Sequence, residues 1–224
     1  MLYLIAFLTA LVAYLIGSIS GAIIISKKAS GSDIRESGSK NAGTTNMLRV
    51  HGKKLAILTL LVDIIKGIIA VLIGIMIDAV IERQYGMLSI VSPAEWLVGS
   101  MKYIAAVFAI LGHDFPIYFG FKGGKGVATS IGVALVLDWK VGLIVMIASL
   151  IIMASTRYVS LGSVIGAIIY PCIVAAFMLG MDKFNVVYLV SAIIIGLLII
   201  VKHKTNIERL KNGTENKLSL KKEK

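Results

Sequence analysis

Cysteine, histidine, proline and acid are all scarce in this chain. A single cysteine, Cys172, excludes an intrachain disulfide, and its place inside an apolar run makes it packing rather than chemistry. Three scattered histidines, His51, His113 and His203, form no ligand cluster with that thiol, so no metal and no cofactor are expected. No G-x-S-x-G string occurs, which removes the serine-hydrolase elbow. With only 3 prolines, no Pro-rich or Gly/Ser-rich linker and no internal repeat, nothing divides the 224 residues into separate cores.

What is abundant is apolar. Hydrophobic residues make up 58% of the chain and its mean hydropathy is +0.91, which reads as an all-α polytopic membrane protein. Crossing about 30 Å of hydrocarbon takes roughly 20 apolar residues. Seven candidate runs are present: Leu2 to Ser26, Leu55 to Ile81, Trp96 to Leu111, Val127 to Leu137, Val141 to Ala154, Tyr158 to Gly180 and Phe184 to Val201. The fourth and fifth are short and separated only by "DWK" at Asp138 to Lys140, so they also read as one span. Basic residues, which collect in cytoplasmic loops, decide between these topologies. Seven spans with the N-terminus outside put 18 of the 23 Lys and Arg in 27–54, 112–126, 155–157 and the segment from Lys202. Arg83, Lys140 and Lys183 stay outside, and six spans would strand a basic loop on the wrong face. The expectation is seven transmembrane helices with a cytoplasmic C-terminus: a membrane domain at 1–204 with inward loops 27–54 and 112–126, then a basic tail at 205–224. "MLYL" carries no Lys or Arg, so the first run reads as a retained helix rather than a signal peptide. The net charge of +11 then reflects this bias and contact with anionic lipid or substrate, not nucleic acid.

Three inward segments are polar and share one face. In "FKGGKG" (Phe121 to Gly126), Gly123, Gly124 and Gly126 leave backbone N–H groups uncovered just before a helix, Lys122 and Lys125 add charge, and Thr129 offers a hydroxyl. An anion site and a plain glycine turn both fit this stretch; a Walker A loop does not, because Gly follows Lys125. The first loop offers Ser37, Ser39, Asn41, Thr44, Thr45 and Asn46 with the guanidinium of Arg49, suited to phosphate or equally to a capped loop facing headgroups. Asp63 and Lys66, at i and i+3 inside the second run, read as a structural ion pair or as a direct participant. His113 reads as a base or as a hydrogen-bonded anchor. His203 and Asn206 share a face beyond the last run.

Taken in order, "GSIS" at Gly17, "GSKNAGTTNMLR" at Gly38 to Arg49, "DIIKG" at Asp63, "GHDFPIYFGFKGGKGVAT" from Gly112, "RYVSLGS" from Arg157 and "HKTNIERLKNGTENK" from His203 resemble the bacterial acyl-phosphate-dependent glycerol-3-phosphate acyltransferases. The resemblance implies acyl transfer from a long-chain acyl phosphate to the 1-hydroxyl of glycerol 3-phosphate, in the bacterial plasma membrane with the site at its cytoplasmic face. It implies membrane lipid as surroundings and an enzyme that supplies acyl phosphate as a partner. It also implies that Ser39, Arg49, His203 and Asn206 act in catalysis. The loop Lys122, Gly123, Gly124, Lys125 and Gly126 would bind glycerol 3-phosphate, and Glu215 would be structural. Asn41, Thr45, Asn46 and Thr129 join the expected substrate contacts, with Asp63, Lys66 and His113 in support. Lys40 and Ser20 depart from the family's usual "SGN" and "GSIP". Two rivals stay in view: a transporter of a phosphorylated solute, which would line both membrane halves with polar groups, and a histidine-x4-aspartate acyltransferase, whose nearest string, "HKTNIE", has Glu208 in the aspartate position.

Overall fold

The computed structural model describes residues 1–88, 95–180 and 185–218, and among these it is helical without a strand. Lys183, Phe184 at the head of the seventh run, and the tail from 219 onward lie outside the described residues. The helices are α1 (Leu2–Gly17), α2 (Gly21–Ser30), α3 (Thr44–His51), α4 (Lys53–Leu88), α5 (Met101–Asp114), α6 (Val127–Leu137), α7 (Trp139–Thr156), α8 (Val159–Gly180), α9 (Val186–Lys202) and α10 (Lys204–Lys211). Short 3₁₀ turns occupy Ile34–Glu36, Glu95–Leu97 and Ile117–Phe119.

The first expected run holds two helices, α1 and the start of α2, and each of the others holds one: α4, α5, α6, α7, α8 or α9. Length separates them. Four stretches are long and apolar enough to cross a membrane alone, namely Leu2–Ser30, Lys53–Gln84, Trp139–Thr156 and Val159–Gly180. α9 joins them when counted with α10, which leaves it at a 60° bend. α5 has 14 residues and α6 has 11, so they rise only about 21 and 16 Å. Both are inner helices of the bundle: α5 packs against α1, α4, α6 and α9, and α6 against α4 and α7.

The chain is patterned inside out. On α4, Ile57, Leu58, Leu61, Ile65, Ile69, Leu72, Met76 and Val80 form an exposed apolar stripe, while Asp63, Lys66 and Asp78 are buried. Without a hydrophobic drive between helices in lipid, association needs close backbone approach. A Cβ on Gly17 would sit 2.0 Å from the Ala109 carbonyl, one on Gly112 2.2 Å from that of Tyr14, and one on Gly132 2.2 Å from that of Ile64. These contacts lock α1 to α5 and α4 to α6, the pairs that carry the polar loops.

The first run, read as one helix from Leu2 to Ser26, is broken at Ser18 to Ser20. Ser18 Oγ donates to the Tyr14 carbonyl at 2.8 Å, and Ser20 caps α2 by accepting from the Ile23 N–H at 3.4 Å. The carbonyl of Ile19, left over at the break, accepts from buried Lys66 at 2.8 Å. A break inside an apolar stretch is tolerable because those three side chains satisfy it.

Candidate active site

The first loop folds around Asn46. This residue, expected to contact substrate, is 1% exposed. Its Nδ2 donates to the carbonyls of Ile34 and Ser37, both at 3.0 Å, and of Asn41 at 3.1 Å. Its Oδ1 accepts from the Ser39 N–H at 2.8 Å. Its two amide hydrogens are spent on these carbonyls and the side chain is buried, so Asn46 is the loop's hub. Ser39 itself stays exposed with its hydroxyl free among the described residues, while Asn41 and Thr45 are half-buried. Lys40 sits at φ 56°, in the left-handed region that disfavours long side chains. Arg49 follows in the last turn of α3, half-buried and without an ion pair among the described residues.

The glycine loop departs from its expected chemistry. Gly123 N–H donates to the Asp114 carbonyl at 3.3 Å and Gly124 N–H to that of His113 at 3.1 Å, so both amides close the end of α5 instead of facing an anion. What demands glycine there is space: a Cβ would lie 2.0 Å from the His113 carbonyl at Gly123, and at Gly124 2.1 Å from His113 Nε2 and 2.8 Å from the Ala42 carbonyl. Gly124 is thus where the first and second loops touch. Gly126, at φ 72°, leads into α6, whose first amides, at Val127, Ala128 and Thr129, are the unpaired donors of a helix start. Lys122 is exposed, and Thr129 is fully buried with its Oγ1 unpartnered among the described residues.

The third segment closes the site. Lys125 Nζ donates to Asn206 Oδ1. Asn206 Nδ2 donates to Glu215 Oε1 at 2.7 Å, which also accepts from Ser160 Oγ at 2.8 Å, and Arg209 Nε donates to Glu215 Oε2 at 2.7 Å. The order is forced. Glu215 only accepts and Lys125 only donates, so the Asn206 amide between them has one orientation. The described part of the 205–224 tail folds back on α8, with Ser160 on Glu215, and the Leu218 N–H donates to the Arg157 carbonyl at 2.7 Å. Burial lowers the Lys125 ammonium to about 8; Glu215 opposes that shift, and Arg209, Arg49 and Lys202 reinforce it. His203, 4% exposed, donates from Nδ1 to the Ile199 carbonyl at 2.8 Å. Burial, and then the charge of Lys125, brings this imidazole down to about 4, so it is neutral at pH 7. Glu215 is raised by burial but more than offset by Arg209, Asn206 and Ser160, leaving it below the usual value.

Beneath the loops, Lys66 is spent on three acceptors: Asp63 Oδ1 at 2.8 Å, His113 Nδ1 at 2.8 Å and the Ile19 carbonyl. The Asp63 and Lys66 side chains are 2% and 4% exposed. His113, accepting at Nδ1, carries its proton on Nε2, the atom against Gly124. The trio is a buried anchor joining α4, the α1–α2 break and the second loop. Sequence reading passed over Arg35, Ser160, Lys202 and Arg209. Arg35 binds Asp33 and the second loop, and Lys202 Nζ donates to the Asp114 carbonyl at 2.9 Å. An Asp and an Arg two residues apart in a polar loop was the one available signal.

Three loops from distant parts of the chain therefore meet at one end of the bundle around Arg49, Lys125, Lys202 and Arg209, with the carboxylates of Glu215 and Asp114 among them. That concentration suits a substrate with more than one phosphate-type charge. The family model for glycerol-3-phosphate acyltransferase matches residues 7–213. Glycerol-3-phosphate acyltransferases from Shouchella clausii and Clostridioides difficile are 43% and 40% identical, covering 95% and 96% of this chain and 96% of each relative. A crystal structure of PlsY (YgiH), an integral membrane glycerol 3-phosphate acyltransferase in its glycerol 3-phosphate form, superposes with a TM-score of 0.77 at 36% identity, over 96% of both chains. Its lysophosphatidic acid form gives 0.75 at 34% identity, with the same coverage. This multi-pass membrane protein is an acyltransferase and belongs to the glycerol-3-phosphate acyltransferase family.

Proposed function

We propose that the protein transfers a fatty acyl group from acyl phosphate to the 1-hydroxyl of glycerol 3-phosphate, releasing lysophosphatidic acid and inorganic phosphate as the first step of bacterial phospholipid synthesis. The observation that carries this reading is the convergence of cations from three loops: Lys125 bonds Asn206, which shares Glu215 with Arg209, Lys202 bonds the Asp114 carbonyl at the head of the second loop, and Arg49 acts on Lys125 from the first. Both substrates bring a phosphate, and four cations outnumber the two carboxylates nearby, Glu215 beside Lys125 and Arg209 and Asp114 beside Lys202 and Gly126. The acceptor oxygen forms the new ester bond to the acyl carbon, the bond from that carbon to the donor phosphate breaks, and the hydroxyl proton leaves with the phosphate. His203, at about 4, is too weak a base for this proton at neutral pH. A donor phosphate oxygen takes it instead. Arg49 and Lys125 hold and neutralise the phosphates, the start of α6 adds its unpaired amides, and exposed Ser39 donates to the developing oxyanion. Asn206 and His203 set the position of Lys125 and the end of α9, and Gly123 and Gly124 shape the loop without binding through their amides.

Topology belongs to the same proposal. Seven spans with the N-terminus outside put all three loops at the cytoplasmic face of the plasma membrane, with short α5 and α6 crossing inside the bundle and the tail following the 1–204 membrane domain. The acyl chain then lies among the helices while an enzyme on the same side supplies the acyl phosphate. Purified protein in lipid, given glycerol 3-phosphate with either acyl phosphate or acyl-CoA, tests the reading. Lysophosphatidic acid is expected from acyl phosphate alone; product only from acyl-CoA rejects the donor, and product from neither rejects the reaction.

A further inference from the structure

Arg35 lies outside the cation cluster, and every nitrogen of its guanidinium donates to a partner within the first two loops. Nε and Nη2 donate to Asp33 Oδ1 and Oδ2 at 3.0 and 2.8 Å, while Nη1 donates to the Phe119 carbonyl at 2.7 Å and the Lys122 carbonyl at 3.0 Å. Asp33 is itself fixed, capping the 3₁₀ turn by accepting from the Arg35 N–H at 3.0 Å. One side chain thus ties the first inward loop to both ends of the turn 119–122.

That turn needs a tie. Gly120 and Phe121 are both left-handed, at φ 65° and φ 58°, and for a bulky aromatic that conformation is an outlier. Phe121 side chain gains little in return, being 56% exposed. The peptide from Lys122 to Gly123 is gripped on both edges: its C=O accepts from Arg35, and its N–H donates to the Asp114 carbonyl. In a trans peptide these two groups point opposite ways, so the grip sets the rotation of the peptide that starts the glycine loop. Three residues on, Lys125 reaches Asn206.

We infer that Arg35 is a positioning residue for the glycine loop, holding the strained Phe119–Lys122 turn shut so that Lys125 and the start of α6 face the acceptor phosphate. The inference rests on the function proposed above for what the loop binds, while the tie itself is independent of it. In full-length protein in lipid, Arg35→Ala is expected to raise the KM for glycerol 3-phosphate about tenfold, with kcat changed less than about twofold, as loss of charge-assisted bonds that preorganise binding should. Without any substrate, hydrogen exchange at the Gly123 and Gly124 amides should quicken by about tenfold. Arg35→Lys keeps the charge but cannot span both carbonyls and Asp33, so it should fall between. Adding Phe121→Gly to Arg35→Ala removes the left-handed penalty and should recover part of the KM, which a merely destabilised protein would not do.

If Arg35→Ala left both KM and exchange unchanged, or raised KM with exchange unchanged, the inference would be overturned. Should Arg35→Ala not fold, Arg35→Lys supplies the same two readouts. A wild type inactive on acyl phosphate would sink the proposed reaction while the exchange measurement still judged the tie.

Discussion

Replacing Glu215 by Ala removes the acceptor for three donors at once. The Glu215 side chain is 6% exposed and that of Arg209 is 41% exposed. Losing the Ser160 and Asn206 bonds, both made to the ionised carboxylate, costs about 1–1.5 kcal/mol each. The half-open Arg209 pair adds only about 0.5 kcal/mol after screening. A total near 3 kcal/mol is roughly two decades in the equilibrium that releases α10 and the segment up to Leu218, together a strap, from α8. Exchange of the α10 amides should therefore quicken by about a hundredfold, while helices α4 and α5 stay protected. Freed of the carboxylate, the Asn206 amide loses its single orientation, and Lys125 loses both a fixed acceptor at Asn206 Oδ1 and the favourable charge of Glu215. Acyltransferase kcat/KM should fall by at least tenfold, more than the fraction unfolded explains. Glu215→Gln should sit between, because its amide presents a donor to either Asn206 or Arg209. The acid dependence follows from the carboxylate's depressed value: strap stability is fully present above 4.5 and is lost as the pH falls through the lower folded value. Unchanged α10 exchange with unchanged kcat/KM in Glu215→Ala would refute the relay from Glu215 to Lys125.

Other expectations follow from single contacts. Because Lys125 is lowered to about 8, kcat/KM for glycerol 3-phosphate should decline as pH rises through that value; a profile flat from pH 7 to 10 would remove Lys125 from phosphate binding. Gly124→Ala forces a Cβ against His113 and the Ala42 carbonyl and should abolish activity, whereas Gly31→Ala, at φ 71° with nothing within 4 Å, should cost about 1 kcal/mol and leave turnover intact. Asp78 accepts the Met101 and Lys102 amides at 2.8 and 3.1 Å. Asp78→Ala should lower thermal stability by about 1–2 kcal/mol through loss of this cap, with kcat per folded molecule unchanged. Ser39→Ala should lose most activity without altering the melting profile, and near-wild-type kcat would remove Ser39 from the chemistry.

The long-range polar order was partly legible. Asp63 and Lys66 could be paired from their spacing, since i and i+3 meet on any helix. Their third partner, His113, comes from a segment 47 residues away and no local rule supplies it. The glycines illustrate the limit more sharply. Gly123 and Gly124 read as donors because glycine exposes backbone, yet glycine also serves wherever another chain passes close, and only the positions of His113 and Ala42 distinguish the two. Asn46 misled in the same way, because an amide suits a ligand and a loop hub equally.

By itself the sequence determined the apolar runs, each of which proves helical, and the cationic character of the loops between them, for hydropathy and charge act locally. It also carried the order of the three polar loops. Which side chains within those loops are spent on folding was decided only in three dimensions. Hydrogen bonds are exclusive, and a donor or acceptor claimed by a distant carbonyl, as at Asn46, Gly124 and Arg35, is no longer available to a substrate.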